Sequence, residues 1–74
     1  MDNAICEAIS ERRLITFRYD LERRSVEPHA LGISAEGQKL LRAFQVSGAT
    51  GWHLFRVNEM SGLEMLPHTF AKPR

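Results

Sequence analysis

Two arginines stand where a charge is costly. In "KLLRAFQV", Lys39 to Val46, Arg42 sits between Leu41 and Ala43 in the most apolar run of the chain. In "WHLFRV", Trp52 to Val57, Arg56 follows Leu54 and Phe55. A guanidinium in such a layer is either paired or reaches a groove open to water, because an isolated buried charge is expensive. Glu27 and Glu59 are candidate partners for Arg42. If Arg42 and Arg56 lie side by side, they form a fork suited to phosphate or carboxylate. His29, in "SVEPHALG", brings an imidazole, the side chain whose charge changes near neutrality. It either donates to a ligand at a groove or satisfies a backbone group at the end of the fold. Gln45 and Trp52 flank the loop "VSGATG". Trp52 either stacks on a nucleic-acid base or caps the core. The candidate ligand contacts are therefore Arg42, Arg56, His29, Trp52 and Gln45.

Other chemistries find little to work with. No nucleophile has a neighbouring base, no carboxylates are paired, and no glycine-rich phosphate loop is present, so no enzyme is expected. His29, His53 and His68 lack ligand spacing, and Cys6 is the only cysteine, so neither a metal site nor a disulfide is expected. No cofactor is implied. The net charge is +1, but Arg12, Arg13, Arg18, Arg23 and Arg24 crowd one segment. That crowding reads as a solvated face or as a footprint for an anion.

The elements that must position these residues follow from periodicity. The chain has 74 residues, one domain spanning 1–74. Asp2 or Asn3 caps a short amphipathic helix over about 3–13, with Ile5, Ala8 and Ile9 on one side and Cys6 beside them as a small hydrophobe. The period then changes to two. Ile15, Phe17 and Tyr19 alternate with Thr16 and Arg18 in a half-buried strand. "RSVEPHALGI" is a second strand whose Pro28 cannot donate to a ladder, which places it on an edge or at a bulge. In the third strand, Leu40, Arg42, Phe44 and Val46 share one face, and Leu41, Ala43 and Gln45 the other. In the fourth, Trp52, Leu54 and Arg56 oppose His53, Phe55 and Val57. "LEML" is a fifth strand, so the strands fall within 14–66. Residues 67–74 form an irregular tail with Phe70 tucked in.

One helix followed by five closely spaced strands predicts a mainly β fold, a small closed or nearly closed barrel. No run approaches membrane-spanning length, and the N-terminus lacks the order of a signal peptide. With its lone cysteine, this predicts a cytoplasmic protein with no membrane partner.

The pieces "RRLITFRY", "VEPHALG", "LLRAF", "FRVNEM" and "LEML" come in an order that resembles the WYL domain, from about Ile5 to Phe70. The resemblance implies an Sm-like five-stranded β-barrel with one N-terminal helix. It implies a role in bacterial transcription regulation, where such domains usually sit behind a helix-turn-helix domain. No helix-turn-helix precedes the domain in these residues, so a complete regulator is not expected. The implied ligand is anionic, a nucleic acid segment or nucleotide. The implied groove is lined by the name-giving strand and the arginine of the "FR" strand. The name-giving Trp-Tyr-Leu positions are Lys39, Leu40 and Leu41 here, and Glu59 stands where a second arginine is frequent. Two expectations follow. In the first, a non-enzymatic module binds an anionic ligand through Arg42 and Arg56, with His29 and Trp52 near the rim. In the second, a protein–protein module self-associates or docks onto a regulator through Leu40 and Leu41.

Overall fold

The computed structural model describes residues 2–71. In chain order it contains α1 (Asp2–Glu11), β1 (Arg13–Tyr19), β2 (Glu22–Ile33), β3 (Lys39–Gln45), β4 (Gly51–Arg56), a 3-10 turn (Val57–Glu59) and β5 (Ser61–Thr69). The five strands form one antiparallel sheet in the order β4-β3-β2-β1-β5. The mainly β class and the single helix match the pattern of the sequence. The sheet is open: β4 and β5 are its two ends, and among the described residues no pairing joins them.

Local chemistry explains the boundaries. Asp2 lies in the first turn of α1, where a carboxylate favours the exposed N–H groups. Ile5 and Ala8 are buried on one side of the helix. Cys6 is exposed, not packed beside them. Arg12 takes a left-handed φ of 55°, so the helix stops two residues before the expected position and Arg13 opens β1. β1 and β2 meet in a two-residue turn, Asp20 and Leu21, both at positive φ (52° and 66°). Gly37, at φ 85°, closes the β2–β3 connection.

β2 is central, so a proline in it needs an exception to the ladder. Pro28 has one: the register with β3 shifts between Pro28 and Ala30, and Pro28 is fully buried there. β5 continues to Thr69, paired through Arg13, so residues 67–69 are strand where an irregular tail was expected. Phe70 is half-buried, and the expected tail from Lys72 to Arg74 lies outside the described residues.

The core joins Ile5 and Ala8 of α1 to Ile15, Phe17, Val26, Leu41, Ala43 and Phe55 of the sheet, with Val57 and Met60 beyond β4. The rings of Phe17, Tyr19 and Phe55 meet edge-to-face, Phe17 and Phe55 at 5.1 Å and Tyr19 and Phe55 at 5.0 Å. β1 and β4 are three steps apart in the sheet, about 14 Å if it were flat. Contact at 5.0 Å therefore requires a strongly curled sheet. Among the described residues, no helix is long and apolar enough to cross a membrane.

Candidate functional site

The outward face of β3 and β4 carries most of the candidate residues. Side chains alternate along both strands: Leu41, Ala43 and Gln45 of β3 and Phe55 of β4 are buried, while Arg42, Trp52, Leu54 and Arg56 are exposed. Register pairs Leu40 with Arg56, Arg42 with Leu54, and Phe44 with Trp52. Strand pairing therefore places Arg42, Phe44, Trp52, Leu54 and Arg56 on one surface.

Arg42 is resolved by an aromatic ring, not a carboxylate. Its guanidinium carbon lies 4.1 Å from the centroid of the Trp52 ring. Among the described residues it makes no ion pair. Glu59, one of the two expected partners, instead meets Arg56, Nη1 to Oε2 at 3.3 Å. Arg42 thus leans toward Trp52 and Arg56 toward the 3-10 turn. The two arginines share a face but do not form the expected fork. Trp52 does not cap the core; it stands on the outer face, 39% exposed, edge-to-face with Phe44 at 5.6 Å. Leu54 beside it is 61% exposed. Arg42, Trp52, His53 and Leu54 line a shallow depression.

His29 of β2 packs against this surface. Its ring packs against Trp52 at 4.9 Å and Phe70 at 5.1 Å, and little of it reaches water. Its Nε2 is 3.5 Å from Oε1 of Glu27, close enough for an ion pair when the ring is protonated, but makes no hydrogen bond. Its Nε2 therefore does not make the expected bond to a backbone group, and the imidazole packs against Trp52.

Gln45 belongs to the interior. It is buried on the opposite face from Arg42, donates Nε2 to the Ser47 carbonyl at 2.8 Å and accepts from Nη1 of Arg24 at 3.2 Å. The crowded arginines also separate. Arg24 turns toward the core side, over the rings of Tyr19 (5.6 Å) and Phe55 (6.0 Å). Arg12 and Arg13 donate to the carbonyls of Ala71 and Leu66. Arg23 faces Glu64. They do not make one basic surface.

Phe44, Leu54 and Phe70 were not among the expected contacts. The first two follow from the same alternation that exposes Arg42. Phe70 has no local signal, because its contact joins the end of β5 to the middle of β2. Leu41, expected to offer a docking surface with Leu40, is fully buried. A wider depression, lined by Asp2, Lys39, Val57, Asn58 and Met60 among others, lies away from this face. Its two charges, Asp2 and Lys39, are paired with each other, so it offers less to a charged ligand than the Arg42 surface.

No family model, curated protein or solved structure matches the chain.

Proposed function

We propose that the chain is a non-enzymatic binding module of the WYL type, acting in bacterial transcription regulation, whose β3–β4 face takes an anionic ligand with a flat ring. A nucleotide or a short nucleic acid segment has that chemistry. The observation that carries this reading is the exposed stack of Arg42 on Trp52. A guanidinium partnered by an indole and not by a carboxylate keeps its charge and N–H donors for a phosphate. The exposed indole and Leu54 offer apolar surface to a base, as aromatic platforms do for single strands. Arg56 adds a second charge on the same face. Its pair with Glu59 is solvent-exposed and therefore weak, so a phosphate can compete for it. His29 and Phe44 pack against the indole, and Phe70 packs against His29.

The Sm-like barrel is part of the same reading. It is supported by the curl that brings Phe55 and Tyr19 together. The cytoplasmic setting likewise rests on the lone cysteine. A protein–protein role retains one supporting observation, the exposure of Leu54 and Ile33 (61% and 70%). It can no longer use Leu41.

The test is fluorescence anisotropy of labelled single-stranded DNA and RNA at low and physiological salt, with Arg42→Ala and Arg56→Ala alongside. Salt-weakened binding, lost in Arg42→Ala and reduced in Arg56→Ala, is the expected result, since neutralised phosphates release counterions. No binding by the folded protein at low salt would refute the nucleic-acid form of the reading.

A further inference from the structure

The free edge of β4 is the least guarded part of the molecule. β4 ends the sheet, and its six residues pair with β3 without a register shift. Arg56 at its end is its one arginine or lysine; it carries no proline and no bulge, two of the usual devices that keep an edge from pairing. The opposite edge, β5, carries Glu64 and Pro67, and its register with β1 shifts twice.

The backbone of β4 also shows which groups are free. The N–H of Arg56 donates to the hydroxyl of Tyr19 at 3.1 Å, so it points away from β3. Backbone groups alternate in direction along an antiparallel strand, so the N–H groups of Trp52 and Leu54 point the same way. Tyr19 caps the first. The other two have no partner among the described residues. The same two residues expose large apolar side chains on the outer face, 39% for Trp52 and 61% for Leu54.

We propose that β4 pairs antiparallel with β4 of a second copy, about a two-fold axis at His53. Two constraints narrow the register, and the pairing of both exposed apolar side chains, Trp52 and Leu54, selects within them. Opposed side chains must lie on the same face, so the axis passes through a residue and not between two. An axis at His53 places Trp52 opposite the partner subunit's Leu54, and Leu54 opposite the partner subunit's Trp52. Each of these pairs exchanges both of its outward N–H···O bonds and buries an exposed apolar side chain against another. An axis at Leu54 would set Trp52 opposite a residue whose N–H Tyr19 already holds. Arg56 falls opposite the partner subunit's Thr50, so no two arginines face across the seam; the residues that meet on the axis are His53 and the partner subunit's His53. The contact is small beside a standard interface of about 800 Å² per partner, so the dimer is weak and dependent on concentration. It unites two Arg42–Trp52 pairs on one continuous face, but does not rest on what that face binds.

The experiment is sedimentation equilibrium of the full chain over a wide range of concentration, with Leu54→Lys and Leu54→Thr. The expected mass rises from one chain to two and stops there, and both variants shift the rise to higher concentration with unchanged far-UV circular dichroism. Register is read separately, in a Cys6→Ser background. His53→Cys places two thiols on the axis, where strand backbones in a non-hydrogen-bonded pair approach to about 4.5 Å, within disulfide range. Mild oxidation is expected to give a covalent dimer with His53→Cys and little with Leu54→Cys. A single-chain mass at every concentration, an assembly larger than a dimer, or an unchanged mass curve in both Leu54 variants would overturn the proposal. A covalent dimer from Leu54→Cys alone would overturn the axis at His53.

Discussion

Arg42 and Trp52 stand one diagonal step apart on neighbouring strands, and the guanidinium of the first lies 4.1 Å from the ring centre of the second. The pair gives an arginine in an apolar strand a partner that leaves its charge unneutralised. A carboxylate would have closed the site. An indole keeps it available to an anion, at a strength of about 0.5–1 kcal/mol for an exposed pair. Losing the stack costs little stability, so its effect on binding and its effect on folding are separable.

Gln45 tests that separation from the other side. It is buried and holds both Arg24 and the Ser47 carbonyl. Gln45→Ala removes an acceptor from a partly buried guanidinium, which costs about 1–3 kcal/mol. Urea unfolding is expected to show a lowered midpoint. Ligand affinity of the variant's folded fraction is expected to stay at the parent value.

Phe55 is where the curl of the sheet is secured. Its ring touches both Phe17 and Tyr19 and is 1% exposed. Phe55→Ala is expected to cost about 3–5 kcal/mol, as large aromatic truncations in cores do. In a domain with only a few kcal/mol of net stability, that is most of the total. Thermal melting by circular dichroism should show a broad transition or none.

Much of this arrangement was legible in the sequence, and the reasons are specific. Period-two alternation in "KLLRAFQ" and "WHLFR" set Arg42 and Trp52 on one face and Gln45 on the other, because strand geometry leaves no alternative. Strict use of that alternation would have removed Gln45 from the ligand contacts at once. Pro28 announced its bulge because it lacks a donor. Three features were not legible. Whether β4 meets β5 depends on how far the sheet curls, which no local pattern states. Phe70 reaches His29 only through the pairing of β5 with β1. The partner of Arg42 was sought among acids; the three-residue spacing already set Glu59 beside Arg56, but no local pattern names a ring on the next strand as the partner of Arg42.

The β1–β2 turn breaks a local rule. Two-residue turns with both φ angles positive favour glycine or asparagine, and here the second position is Leu21, 92% exposed at φ 66°. A left-handed conformation costs a residue with a Cβ about 1–2 kcal/mol. Leu21→Gly is expected to raise the urea midpoint, because it relieves that strain and removes no buried contact. An unchanged or lowered midpoint would mean that Leu21 packs against something in solution.

Tyr19 links the core to the open edge of β4. Tyr19→Phe keeps the ring contacts and deletes the hydroxyl that receives the Arg56 N–H. A loss of about 1 kcal/mol is expected for one hydrogen bond. Amide hydrogen exchange should speed up at Arg56 and stay unchanged at Phe55, whose N–H points to β3.

The most direct measurement of the central claim uses the chain's own reporter. Trp52 is the sole tryptophan, so its emission reads the site with no label. Titration with a short single-stranded oligonucleotide at low salt is expected to quench it saturably. Added salt should weaken the quench, and Arg42→Ala should abolish it while the fold is kept. Emission that stays constant through the titration, or quenching that Arg42→Ala leaves intact, would contradict the assignment of this face as the binding site.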